Sequence, residues 1–60
     1  MEVFKEQMAI AQYALRLGYL FDDEDIIFVR QDGDVKTYEA RNMVCFKRFY
    51  INQKTLEVST

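Results

Sequence analysis

The chain of 60 residues contains no histidine, no proline and no tryptophan, and it has a single cysteine, Cys45. Without histidine and with one thiol, it lacks the usual zinc ligands, the usual base for a nucleophile and the partner that an internal disulfide requires. Its two glycines form no glycine-rich loop of the kind that cradles phosphate. The sequence therefore predicts a protein that is not an enzyme and that holds no metal or cofactor.

Long apolar runs are also missing. No stretch reaches the ~18 apolar residues that a membrane-spanning helix requires, and the first residues lack the basic start and apolar run of an export signal. We therefore expect no membrane partner and a cytoplasmic location. The lone Cys45 fits a reducing compartment, where a free thiol behaves as a small core residue.

The length allows one domain, residues 1–60, and a domain of this size buries only about 60% of the surface of its unfolded chain. Half of the residues are nevertheless apolar and 15% are aromatic, which is more apolar surface than so small a core can cover. With disulfide and zinc excluded, association is the remaining way to gain stability. The composition therefore predicts self-association, with a homodimer as the expected form.

The charges are sorted by position along the chain. Residues 1–34 hold eight acids and three bases, a formal charge of −5, whereas residues 35–60 hold five bases and two acids, a formal charge of +3. A separation of this kind favours binding of a charged partner.

Residues 2–17 have the periodicity of an amphipathic helix, which Gly18 is suited to end. The apolar sector spans about 200°, although a helix on one sheet needs little more than a stripe of ~100°. This width predicts contacts on two sides of the helix. The apolar positions are Val3, Phe4, Met8, Ile10, Ala11, Ala14, Leu15 and Leu17, opposite Glu2, Lys5, Gln12 and Arg16.

The segments 26–29 and 35–39 are rich in strand formers and flank Asp32-Gly33, a pair preferred in tight hairpin turns. With Asp32 and Gly33 as the two turn residues, one face of the hairpin would carry Ile27, Val29, Lys36 and Tyr38. Because both faces are partly apolar, this face is a candidate interface.

Residues 43–51 favour a third strand, with Phe46 and Tyr50 on one side, and residues 56–59 a short fourth strand. The predicted fold is α+β, with an N-terminal helix packed on an antiparallel sheet of three to four strands in the order α-β-β-β-β. The alternative is a second helix over residues 38–50, since Glu39, Ala40 and Arg41 tolerate a helix well.

The main functional hypothesis is a small, non-catalytic protein-interaction or regulatory module. One candidate surface is the acidic run Asp22, Asp23, Glu24 and Asp25, whose spacing does not match a calcium loop but whose carboxylates would attract a basic partner. The same run could serve only as a solvated turn that follows the helix. The second candidate surface is the hairpin face, represented by Ile27, Val29 and Tyr38.

The alternative hypothesis is a nucleic-acid-binding accessory protein that uses residues 46–54, where basic and aromatic side chains alternate. Lys47, Arg48 and Lys54 would contact phosphates, and Phe49 or Tyr50 would stack on a base. The sequence pI of about 4.9 weighs against this hypothesis, as does the tendency of rings such as Phe46 and Tyr50 on one strand face to lie in a core.

Overall fold

The computed structural model describes residues 2–60, with side chains described from Lys5 onward. An N-terminal helix is followed by four antiparallel strands in one sheet, so the predicted α+β fold is confirmed, and residues 38–50 form no second helix. None of the described helices is long and apolar enough to cross a membrane. The elements are α1 (Glu2–Arg16), a short 3₁₀ helix (Asp23–Asp25), β1 (Ile26–Asp32), β2 (Val35–Arg41), β3 (Phe46–Asn52) and β4 (Val58–Ser59), and the strands are ordered β1-β2-β3-β4.

Helix α1 ends at a glycine, as predicted. Gly18 has φ +94°, a left-handed conformation that only glycine adopts without strain. The Tyr19 N–H donates to the Ala14 carbonyl (2.9 Å) and the Gly18 N–H to the Leu15 carbonyl (3.0 Å). This pair of hydrogen bonds defines a Schellman motif, which turns the chain back along the helix.

The buried side of α1 is narrower than its apolar sector. Glu6, Ile10 and Ala14 follow one another at every fourth position and are buried against the sheet, whereas Met8 and Leu15 are 44% and 60% exposed. The sheet therefore covers one part of the sector and leaves the other in solvent. The predicted placement of Glu2, Val3 and Phe4 lies outside the described side chains.

The hairpin turn lies one residue later than predicted. Asp32 pairs with Val35, so Gly33 and Asp34, rather than Asp32 and Gly33, occupy the two turn positions. Gly33 has φ +61°, and Asp34 is not among the residues with positive φ. Positive φ at the first turn position alone is the requirement of a type II′ turn, which glycine meets best.

A bulge in β1 changes which side chains share a face. The register shifts between Phe28 and Arg30, so that Phe28 lies opposite Tyr38 and Ile27 lies opposite Glu39. An extra residue in one strand reverses the alternation beyond it. The predicted grouping of Ile27 with Tyr38 is therefore wrong, because Tyr38 points to α1 and is 1% exposed.

The core lies between α1 and one face of the sheet. The Phe49 ring meets the rings of Tyr13 (centroids 6.2 Å apart, interplanar angle 88°) and Phe21 (6.3 Å, 80°) edge to face, a favourable arrangement for aromatic side chains. Cys45 is partly buried and packs against this core. The buried apolar residues are Ile10, Ala14, Phe21, Ile26, Tyr38, Ala40, Phe49 and Ile51.

Candidate interaction surfaces

The face of the sheet that points away from α1 is covered by no other layer of the described chain. We call it the open face. Its chemistry is mixed, because arginines, carboxylates and large apolar side chains alternate on it. By register, the open face consists of Ile27, Val29, Arg30, Asp32, Val35, Thr37, Glu39, Arg41, Phe46, Arg48, Tyr50, Asn52 and Ser59.

Two aromatic rings lie on the open face along β3. Phe46 and Tyr50 are 52% and 36% exposed, with Arg48 between them on the same side of the strand. The expectation that Phe46 and Tyr50 belong to the core is wrong. With one helix to cover the sheet, β3 has one buried side, and Phe49 and Ile51 occupy it.

The five residues predicted to bind nucleic acid do not form one site. Lys47 and Phe49 point to the helix side, where the Lys47 Nζ lies 5.2 Å from the centroid of the Tyr19 ring and Phe49 is fully buried. Lys54 lies beyond β3, and its Nζ is 3.6 Å from a carboxylate oxygen of Asp34. Arg48 and Tyr50 remain together on the open face.

The structure adds Arg30 and Arg41 to the same face. Sequence reasoning missed them because the pairing of the strands, and not their spacing in the sequence, places Arg30 in line with Tyr50 and Arg41 opposite Phe46. The Arg48 guanidinium donates to Glu39 Oε2 at 3.0 Å, and this carboxylate raises the pKa of Arg48. Arg30 Nε lies 3.1 Å from Asp32 Oδ2. A shallow cavity of about 210 Å³ lies between these groups, lined by Val29, Arg30, Thr37, Glu39, Arg48 and Tyr50.

The acidic run, residues 22–25, is held in place by hydrogen bonds between side chains and the backbone. The Asp22 N–H donates to Asp25 Oδ2 at 3.1 Å, and the Gln7 amide donates to the Ile26 carbonyl at 2.7 Å. Among the residues with described side chains, no base forms an ion pair with any of its four carboxylates. The four carboxylates thus lie beside the start of β1 without an ion-pair partner among the described side chains.

The connection between β2 and β3 presents the most exposed apolar side chains. Met43 and Val44 are 103% and 90% exposed. Leu20, in the segment between α1 and the 3₁₀ helix, is 75% exposed. Asn42 orders this region, since its Oδ1 accepts from the Val44 N–H (2.8 Å) and the Cys45 N–H (2.9 Å) while its Nδ2 donates to the Leu20 carbonyl (2.9 Å). We call Leu20, Met43 and Val44 the apolar loop end.

The apolar loop end contradicts the prediction that the third strand begins at Met43. The strand begins at Phe46, because the hydrogen bonds of the Asn42 side chain replace strand pairing over the preceding residues. Asparagine side chains commonly compete with regular structure in this way.

A buried polar cluster joins α1 to the sheet. Glu6 Oε1 accepts hydrogen bonds from the Tyr38 hydroxyl (2.7 Å) and from Lys36 Nζ (3.1 Å). Glu6 is 4% exposed, and the Lys36 side chain is 17% exposed. Burial, and then the neighbouring Glu6, raise the pKa of Tyr38 well above its ordinary value.

This shift predicts a loss of stability at alkaline pH. Because the pKa of Tyr38 is higher in the folded chain, its contribution is complete below the ordinary tyrosine pKa of about 10. It declines as the pH rises from there toward the folded-state pKa, by about 1.4 kcal/mol per pH unit. Urea denaturation between pH 8 and about 11.5 should show this decline, and Tyr38→Phe should remove it. An equally steep decline in the Tyr38→Phe variant would contradict the assignment.

Comparison with known proteins by family, by curated sequence and by solved structure found no match for this chain. Among the described residues, no group of three or more potential ligands is placed to hold a metal ion. The function must therefore be inferred from the surfaces described above.

Proposed function

We propose that this protein is a small non-catalytic module that binds a larger protein through the apolar loop end and the adjoining acidic run. The observation that carries the proposal is the exposure of Met43 (103%) and Val44 (90%) on an ordered connection and of Leu20 (75%) in the adjacent segment, whose carbonyl Asn42 binds. Apolar residues at a loop tip contribute nothing to the core of this chain. They are suited to fill a pocket on another protein.

The energetics favour such a contact. Burying one large apolar side chain is worth about 1.5–3 kcal/mol, so Met43 and Val44 together offer substantial binding free energy. The hydrogen bonds of Asn42 fix the loop before binding, which reduces the entropy lost on association. An apolar centre with a polar rim is the usual organisation of a protein interface.

The acidic run supplies that rim on one side. Asp22 and Glu24 are exposed and follow Leu20 closely along the chain, so the matching partner would carry bases around an apolar pocket. Charge attraction of this kind raises the association rate. Tyr38 is buried and is not part of this surface, whereas Ile27 and Val29 are exposed on the open face.

The test is affinity capture with the wild-type chain and with Met43→Ser/Val44→Ser, quantified by mass spectrometry. The double variant is expected to recover at least about tenfold less of a specific partner, which corresponds to 1.4 kcal/mol or more. Ile27→Ser/Val29→Ser is the matched control, because it removes two exposed apolar side chains from the open face, outside the proposed surface, and should recover as much partner as the wild-type chain. Equal recovery by the wild-type chain and the loop variant, both folded by circular dichroism, would refute the proposal.

The outer side of α1 supports self-association as a second part of the proposal. Met8 and Leu15 are 44% and 60% exposed and lie seven residues apart, on one side of the helix. A two-fold pairing of this side would cover the same residues in both copies. Sedimentation equilibrium should show a dimer for the wild-type chain and a monomer for Met8→Ser/Leu15→Ser. Identical masses for the two proteins would exclude this side of α1 as the dimer interface.

A further inference from the structure

We infer that the open face is a binding site for single-stranded nucleic acid, separate from the apolar loop end. In this site Phe46 and Tyr50 stack on bases, and Arg30, Arg41 and Arg48 contact phosphates. The juxtaposition that carries the inference is a row of ring, guanidinium and ring on one side of β3. Arg41 lies on the neighbouring strand β2 and Arg30 on β1, both on the same face.

The geometry of a strand places these groups at a suitable spacing. Residues on the same side of a strand recur every two positions, roughly 6.6–6.8 Å apart, so Arg48 lies midway between Phe46 and Tyr50. Two bases stacked on the two rings would bring the phosphate between them close to the guanidinium. Stacking on rings of an open four-stranded sheet is an established way for proteins to hold unpaired bases.

The charge of the face also differs from that of the whole chain. Its three arginines and two acids, Asp32 and Glu39, give a formal charge of +1, whereas the chain carries −2. Arg30 contacts the Asp32 carboxylate and Arg48 contacts that of Glu39, and a guanidinium has five N–H donors. Arg41 forms no ion pair with a described side chain. Donors therefore remain for phosphate.

A base stacked on the Tyr50 ring could also contact the residues that line the adjacent cavity. Thr37 forms part of its lining and is 7% exposed, with Arg30 and Arg48 on the rim. Unpaired bases can enter a surface of this kind, whereas bases in a duplex present only their edges. The site is accordingly suited to single strands.

The test is fluorescence anisotropy with a labelled oligothymidylate of about twelve nucleotides, a length within the range of single-strand sites. Saturable binding at low salt is expected, with a log–log salt slope near −2 for about three phosphate contacts. Tyr50→Leu is expected to bind roughly 5- to 150-fold more weakly, the cost of one stacked base. Arg41→Gln should make the slope shallower by about 0.7.

Lys54→Gln is the matched control, because it removes one positive charge away from the open face and should leave the slope unchanged. Met43→Ser/Val44→Ser should also bind the oligonucleotide normally, so that this site and the protein-binding surface can fail independently. No saturable binding at low salt would overturn the inference. So would wild-type affinity in Tyr50→Leu, or a change in slope with Lys54→Gln equal to that of Arg41→Gln.

Discussion

Replacing Glu6 with alanine is expected to lower the free energy of unfolding by about 3 kcal/mol. The Glu6 carboxylate is the hydrogen-bond acceptor for both the Tyr38 hydroxyl and Lys36 Nζ. Its removal would leave a nearly buried ammonium group and a buried hydroxyl without their partner. Such groups have lost their hydrogen bonds to water on folding, and no hydrogen bond within the protein replaces them.

Urea denaturation of Glu6→Ala measures this cost directly. Glu39→Ala is the control, since it breaks the Arg48–Glu39 contact on the solvent-exposed side of the sheet and should change stability by at most about 1 kcal/mol. The triple variant Glu6→Leu/Lys36→Met/Tyr38→Phe should recover much of the loss, because apolar replacements leave no buried group unpaired. A loss in Glu6→Ala no larger than that in Glu39→Ala would show that the cluster contributes little.

Replacing Phe49 with alanine is expected to leave most of the chain unfolded at room temperature. Phe49 is fully buried and contacts the rings of Tyr13 and Phe21. Truncation of a buried phenylalanine costs about 3–5 kcal/mol, and a single core of this size rarely supplies more than 3–5 kcal/mol of stability, as an order of magnitude. The loss therefore approaches the whole stability of the domain.

Thermal melting followed by circular dichroism is the appropriate measurement. Phe49→Ala should lose its cooperative transition, whereas Tyr50→Ala, at the next position but on the open face, should keep it with a cost of about 1 kcal/mol. The comparison separates a core ring from a surface ring within one strand. A cooperative melt of Phe49→Ala near the wild-type temperature would contradict the assignment of Phe49 to the core.

The parts of the fold that depend on neighbouring residues could be predicted from the sequence. The periodicity of residues 2–17 and the position of Gly18 predict α1 to within one residue of its end at Arg16. The signal is local, because each helical residue bonds to one four positions away and the left-handed end favours glycine. The strand formers around Gly33 likewise predict a hairpin.

The register of the hairpin could not be predicted in this way. Asp32-Gly33 and Gly33-Asp34 are both acceptable turn pairs, and which one is used depends on how the whole of β1 packs against β2. The bulge near Val29 has no local signal in the sequence. The later turn changes only which residues lie opposite one another, whereas the bulge moves Ile27 to the face opposite Tyr38, so the interface that joined Ile27 and Tyr38 could not be predicted correctly.

The candidate surfaces could be predicted only in part, for a similar reason. Alternation along β3 correctly separates Phe46, Arg48 and Tyr50 from Phe49, but it does not tell which side α1 covers. The strand-forming character of Met43 and Val44 suggested a longer β3 and concealed the effect of Asn42. A polar residue that can bond to the backbone two and three positions later was the available signal.

The chain order of the strands has a consequence for how the protein folds. Each strand pairs with the next one along the chain, so the sheet can assemble as successive hairpins whose contacts are local and form rapidly. The Glu6–Tyr38 hydrogen bond instead joins residues 32 positions apart and requires α1 to have docked. We expect such late contacts to slow unfolding rather than to speed folding. The buried cluster would thus lower the unfolding rate and so lengthen the lifetime of the folded state.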